Sequence, residues 1–516
     1  MPATTLPALL DAVATAHPEA EAFRYRDERL TYADWAGLSG RVAATLAAHG
    51  ARRGDVVALL LPSTPCYQIC YLAAAHLGAV TTGINVRYRR TEIGHLLRRS
   101  GARLLVAVTR WHDADFRALL APLRAELPDL REVLWVEPET LAAGTRDAVA
   151  ALAPDAPPPP VAAQADDPAA IVFTSGTTGV PKGAWYAHAS LLALADIEGR
   201  RHPGGPPRFL RHLAAGLSFA HVGTMARIAI HVGNAWSSLV HDTFDPALVL
   251  ATIEHERLEH LGAIPTQAIL LLEHPDRPRR DLSSLRTVLL GGAPSSPELI
   301  RRVQDVLGVR VQVRYSSTEV GIATGSLPDD APELLATTVG KPTPGVELRI
   351  VDSERGPCAA GEVGEVLVRS PATMRGYWRD PEQTAAVLDA DGWVHTGDLG
   401  WLDDAGYLRL RGRRSEMYIR GGFNVYPAEV EDVLARHPKV ARAAVLGMPD
   451  AIFGEIGWAF VAPRRPDDPP TLGELRRFVG AELASFKRPD RLTVLPELPV
   501  TPMFKVDKQA LRGRAG

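Results

Sequence analysis

Cysteine is nearly absent: Cys66, Cys70 and Cys358 are the only three in 516 residues. They form no disulfide framework and no CxxC zinc pattern. Cys66 and Cys70 are four apart and can share a helix face, but two thiols do not build a metal site. They read as small buried residues. An excess of charge of one sign is missing too. The 57 Lys and Arg face 60 Asp and Glu, a net −3 spread along the chain. Arg89-Arg90, Arg98-Arg99 and Arg301-Arg302 sit among acids as solvated helix faces, which argues against a nucleic-acid partner. No uncharged apolar run reaches the roughly 18–20 residues that span a bilayer. The N-terminus also lacks the basic region and unbroken apolar core of a signal peptide. A soluble, cytoplasmic protein with no membrane partner is expected. Lysine is the last scarcity: of the 57 basic residues only Lys182, Lys341, Lys439, Lys487, Lys505 and Lys508 are lysines, leaving 51 arginines. Such a bias reflects genome composition, yet it makes a lysine inside a motif unusual.

What is present is ordinary globular composition, 46% hydrophobic and 23% charged, with length for two to four domains and ample core. Residues 33–49 have helical apolar spacing, VVALLL follows at 56–61, CYQICYLAAAHLGAV reads as a helix, and ARLLVAV at 102–108 as a buried strand. Helix alternating with short Val/Leu-rich strand marks a mostly parallel α/β sheet. The alternation returns where VLATIEHERLEHLGAI reads as helix and RTVLL at 286–290 as strand. PDAPPPPV at 154–161 predicts an extended surface connection. From about residue 346 the texture becomes short alternating runs with Gly and Pro between, which suits a small antiparallel β unit. After Gly412 a further segment of strand, glycine turn and helix predicts a small α+β domain. No internal repeat is visible.

Residues 171–183 read IVFTSGTTGVPKG. A strand runs into a loop of hydroxyls and glycines that ends in lysine. Glycine lets backbone N–H groups turn toward an anion, hydroxyls add donors and lysine adds point charge, so these are the parts of a phosphate cradle. It is not a Walker A loop, because Pro181 precedes Lys182 and Gly183 follows it.

TSGTTGVPKG resembles the phosphate-loop signature of the adenylate-forming superfamily: acyl-CoA synthetases, peptide-synthetase adenylation domains and firefly-type luciferases. Further motifs resemble the family's in the same order: YSSTE at 315–319, HTGDL at 395–399, GRRSEMYIRGGFNVYPAEVE at 412–431 and LPVTPMFKVDKQALR at 498–512. The likeness covers nearly the whole chain. It implies an α/β fold: a large N-terminal domain of α/β sheets plus the small β unit (1–412), a hinge (413–416) and a small mobile α+β C-terminal lid (417–516).

The resemblance also implies roles. Activating a carboxylate means attack on the α-phosphate of ATP, so catalysis is mainly positioning and charge stabilisation. Thr174, Ser175, Gly176, Thr177, Thr178, Gly179 and Lys182 would cradle the phosphates. Within Tyr315-Ser316-Ser317-Thr318-Glu319, Thr318 corresponds to an α-phosphate contact and Glu319 to a Mg²⁺ ligand, while Tyr315 would stack on adenine beside the loop Gly291-Gly292-Ala293-Pro294. Asp398 would accept the ribose hydroxyls, with Arg413 near the same sugar. Lys505 would enter from the lid and bridge the acyl carboxylate and α-phosphate. With lysine so scarce, its use at Lys182 and Lys505 points to a compact ammonium being required. Lys487 resembles another recurring lid lysine. His221, Gly292 and Ser316 would line the acyl pocket; His188, His231 and His241 read as structural.

Three positions depart from the pattern. Ser316 replaces the usual glycine, Ser415 the usual charged hinge residue, and Phe504 the glycine before the catalytic lysine. The turn Gly421-Gly422, which would face the incoming thiol, is intact. The leading expectation is an AMP-forming ligase that joins a small, aryl or polar acid to CoA, using ATP and Mg²⁺. The alternatives are a free-standing enzyme that loads a carrier protein, an adenylation-only enzyme that passes an acid or an oxyanion such as nitrite to an amine, and a nucleotide-binding relic without activity.

Overall fold

The helix Tyr32–Ala48 shows how the chain writes its own boundaries. Thr31 caps it: its hydroxyl accepts the Asp34 amide at 3.1 Å, and the Asp34 carboxylate accepts the Thr31 amide at 2.8 Å. That capping box satisfies two amides the helix would leave orphaned. Trp35, Leu38, Val42 and Leu46 recur at helical spacing and are buried. A computed structural model describes residues 3–174, 181–200, 210–225, 227–293, 295–327, 329–501 and 505–514. The expected roles of Ser175 to Gly179, Pro294 and Phe504 fall outside these residues.

The alternating elements build two sheets of parallel core. One has seven strands in the order 376–377, 182–187, 168–174, 80–83, 56–60, 102–108 and 132–136. Its inner strands are parallel, and the hairpin Pro168–Thr174/Lys182–Ala187 is antiparallel. The other has nine strands, in which 287–290 pairs parallel with 260–263 and 310–317, and 211–215 with 260–263 and 237–241. Apolar strands of this kind need cover on both faces, and helices supply it. Residues 347–351, 364–369, 394–402 and 408–413 form the expected small antiparallel sheet.

Two helices are shorter than their apolar pattern. The helix from Pro65 stops at His76, and Gly78 at φ +66° turns the chain into the strand Val80–Gly83. The helix from Pro246 stops at His255, Arg257 turns at φ +51°, and His260–Ala263 is a strand rather than more helix. In both, a left-handed residue converts a continuous apolar run into helix–turn–strand. Residues 154–161 carry no regular structure, as the prolines predict.

The 3₁₀ turn Arg414–Glu416 leads from the small sheet into a C-terminal sheet of strands 418–420, 423–425, 440–450, 454–463 and 491–494. This sheet has cores of its own, one around Tyr418, Val430 and Phe478 and one around Phe460 and Leu498. Arg411 pairs with Glu429 across the junction, and Arg442 donates to Thr266 at 3.3 Å.

One backbone crossing splices the small sheet to the segment that enters the nine-stranded one. Val339 N–H donates to the Leu408 carbonyl and Leu408 N–H to the Gly340 carbonyl, both at 2.9 Å. Gly340 sits at φ +83°, and a Cβ there would collide with the Gly325 backbone. Gly340→Ala should therefore cost more than the about 1–2 kcal/mol of left-handed backbone alone. Thermal unfolding should show a lowered Tm; an unchanged Tm would mean that this splice is not tight.

Candidate active site

The hairpin ending at Thr174 and resuming at Lys182 holds these two residues opposite one another. The Lys182 ammonium donates to Gln383 Oε1 at 2.6 Å and lies 5.3 Å from the Tyr377 ring centroid. Tyr377 belongs to the strand that pairs with this hairpin, and its hydroxyl donates to Glu319 Oε1 at 2.9 Å. Ser317 donates to Glu319 Oε2 at 3.0 Å and accepts the Glu319 amide at 3.2 Å. Tyr186, on the same hairpin, donates to the Thr318 carbonyl. The 315–319 motif is thus drawn from the nine-stranded sheet onto the edge of the seven-stranded one.

A second set of bonds joins that motif to the small sheet. Asp398 is 7% exposed. One of its oxygens accepts the Tyr315 hydroxyl at 2.6 Å, and the other accepts Arg413 Nε at 3.0 Å. Asp398 and Arg413 are direct partners on neighbouring antiparallel strands. Burial raises the Asp398 carboxyl above the usual aspartate range, against the pull of Arg413 and Tyr315. Each carboxylate oxygen keeps a lone pair free for a further donor.

Lys505 comes to the same place from the C-terminal sheet. It is open to water on one side. Burial and the neighbouring Arg413 charge hold its ammonium below the usual lysine range, while Glu319 and Asp398 pull it up. Burial, with the Lys505 charge added, drops His221 to about 4. Among the described residues the Lys505 ammonium makes no hydrogen bond, ion pair or ring contact, whereas the side chains of the other five lysines each make one.

Gly291, Gly292 and Ala293 follow the strand Thr287–Leu290, with Gly292 at φ +79°. Ser316 is exposed, and its hydroxyl has no hydrogen-bond partner among the described residues. Ser415 is exposed within the 3₁₀ turn. Gly421 and Gly422, at φ +56° and +86°, form the exposed turn between strands 418–420 and 423–425. Lys487 pairs with Glu429, the acid that also meets Arg411. His188 and His231 are buried, and His241 donates to or accepts from Thr252 at 3.1 Å.

Tyr186, Tyr377 and Gln383 were not singled out in the sequence. No local pattern signals that RGYWRDPEQ returns to the phosphate-type loop.

A model of the AMP-binding enzyme family matches residues 10–378, and one of the AMP-binding enzyme C-terminal domain matches 429–505. The chain belongs to the AMP-binding enzyme family. It is 39% identical, over 98% of each chain, to a 3-[(3aS,4S,7aS)-7a-methyl-1,5-dioxo-octahydro-1H-inden-4-yl]propanoyl:CoA ligase of Mycobacterium tuberculosis. It is 35% identical to a feruloyl-CoA synthase of an Amycolatopsis species, over 97% of this chain and 96% of that one. Among solved structures, an amide bond synthetase of Marinactinospora thermotolerans superposes with a TM-score of 0.85. That pair is 32% identical, over 99% of this chain and 100% of that chain. This AMP-binding enzyme is thus an AMP-forming, acyl-CoA ligase-like member of the adenylate-forming superfamily. Among the described residues no helix is long and apolar enough to cross a membrane.

The proximity of Lys505 to His221 has a direct test. Lys505→Gln removes a neighbouring positive charge, so the His221 pKa should rise from about 4, while burial keeps it below the usual 6.5. NMR titration of the imidazole reads this shift. An unmoved His221 would place Lys505 elsewhere.

Proposed function

We propose that the enzyme activates a small, aryl or polar carboxylic acid with ATP and transfers the acyl group to CoA. An oxygen of the acid attacks the α-phosphate and pyrophosphate departs. The CoA thiol then attacks the acyl carbon, losing its proton, and AMP leaves. The observation that carries this reading is the unpaired ammonium of Lys505 held among Glu319, Asp398 and Arg413. A cation near two carboxylates that makes no direct pair with them among the described residues suits a reaction that gathers negative charge on phosphate oxygens.

In this reading Thr174 to Lys182 hold the phosphates, Thr318 and Lys505 meet the α-phosphate, Asp398 and Arg413 hold the ribose, and Tyr315 with Gly291 to Pro294 flank the base. Glu319 suits Mg²⁺, which takes one or two protein carboxylates and completes its shell with water and phosphate oxygens. No described cluster of three His, Cys, Asp or Glu side chains could hold a metal without the nucleotide. Bound there, Mg²⁺ would offset phosphate charge. Residues 413–416 act as a hinge. Rotation of the lid beyond them withdraws Lys505 and brings the Gly421-Gly422 turn to the thiol.

Lys505→Ala should abolish acid-dependent pyrophosphate release while ATP still binds, because the charge is needed chiefly in the transition state. Asp398→Ala should instead weaken ATP affinity. Wild-type release by the first, or unchanged ATP affinity in the second, would overturn these roles.

The pocket side rests on His221, Gly292 and Ser316. Sealing the partnerless Ser316 hydroxyl against methylenes would cost about 1–3 kcal/mol, so palmitate should be a poor substrate beside aryl or short polar acids. Equal turnover would refute this. A carrier-protein thiol and an amine are the competing acceptors. A screen of pyrophosphate release with CoA, carrier protein or amine separates them. In the same assay Ser415→Pro, which stiffens the hinge, should slow thioester formation more than adenylation. Full turnover without any thiol would favour the amine reading.

A further inference from the structure

Arg227 is a cation with no counterion in direct contact among the described residues. Among the described residues its guanidinium makes no hydrogen bond and no ion pair, although the residue is half-buried. The acid that favours its charge, Glu198, is shared with a second arginine. Arg314 is already paired with the buried Glu198, and burial holds His212 and His231 well below neutrality, in their uncharged forms. Burial and the Arg314 charge bring Arg227 down to about 10, so it stays charged at pH 7. An isolated buried charge is costly unless something pairs with it.

The space in front of it is built by glycine. Leu261 and Ala263 bury into the apolar core on one face of the nine-stranded sheet, so Gly262 between them faces the other. A Cβ on Gly262 would have one described atom within 4 Å, Nη1 of Arg227 at 3.8 Å. A Cβ on Gly291, just past the adjacent strand and bonded through its N–H to the Ala263 carbonyl at 3.3 Å, would meet nothing within 4 Å. On the next strand Gln312, Arg314 and Ser316 share that face by alternation. The chamber therefore runs along the carboxyl ends of parallel strands, where α/β sheets place ligands. His221, beside Lys505, lies six residues before Arg227.

We propose that Arg227 is a specificity-determining residue: it receives an acceptor oxygen, carbonyl or carboxylate, carried by the substrate acid at the end remote from the carboxylate that reacts. The proposal rests on the acid-activating function above and deepens it. A planar guanidinium donates two parallel bonds to such a group, and Ser316 adds a hydroxyl on the way. An acid that ends in hydrocarbon leaves Arg227 unpaired and is rejected, since sites built to bond a polar group discriminate strongly against analogues without it. The oxygen-free chamber of a fatty-acid pocket would have no use for this residue.

The test compares 3-cyclohexylpropanoate with its 4-oxo and 4-carboxy derivatives, in wild type, Arg227→Met and Arg227→Lys. Acid-dependent pyrophosphate release and direct calorimetric binding of each acid are both measured. The wild type should favour at least one oxygenated acid over the hydrocarbon by tenfold or more in kcat/KM and in affinity. The ketone and carboxylate arms show which acceptor it takes. Arg227→Met should erase the preference and raise hydrocarbon turnover, a gain that a misfolded variant cannot show; Arg227→Lys should retain part of it. If wild type and Arg227→Met rank the three acids alike in binding, the proposal is overturned. If the binding preference follows Arg227 but no acid releases pyrophosphate, the acid-activating function fails and the Arg227 assignment stands.

Discussion

One buried carboxylate ties the molecule together. Asp398 takes a hydroxyl from Tyr315 on the nine-stranded sheet and a guanidinium N–H from Arg413, the last residue before the turn that leads to the C-terminal domain. A carboxylate so enclosed is tolerated only with its partners in place. The small sheet, the nine-stranded sheet and the start of the C-terminal domain are therefore positioned by a shared electrostatic need. The geometry of the candidate site follows from that junction. Glu319 stands four residues from Tyr315 and Lys505 answers to the same charges.

The chain separates structural cations from free ones. Arginine carries the fixed pairs: Arg413 with Asp398, Arg420 with Asp490, Arg314 with Glu198. The fork geometry of guanidinium suits such fixed pairing. Lys505 and Arg227 are among the cations whose side chains make neither a hydrogen bond nor an ion pair with a described residue. They lie in different parts of one region, connected by the segment that begins at His221.

Much of the fold was legible because it rests on local patterns. Val56–Leu60 and Ala102–Val108 fall where short apolar runs placed them, and the change to antiparallel texture near residue 346 is real. The misses share one cause. At Gly78 and Arg257 a single left-handed residue splits an apolar run, and hydrophobic periodicity over so short a stretch cannot distinguish buried helix from buried strand.

The candidate site divides differently. Its motifs and their order are properties of the sequence, because glycine at a cramped turn, hydroxyls around a loop and a lysine among arginines are choices visible one residue at a time. The convergence is not. Tyr377 reaches Glu319 across 58 positions, Tyr315 reaches Asp398 across 83, and Lys182 reaches Gln383 across 201. Arg227 looks in sequence like any of the arginines. Only the tertiary arrangement, which sets Gly262 before it and pairs Glu198 with Arg314, leaves its guanidinium without a direct partner among the described residues. Residue type and local spacing are written in the chain, but whether a charge is neutralised depends on what the fold carries to within a few ångströms of it, and that is decided by packing between segments far apart in sequence.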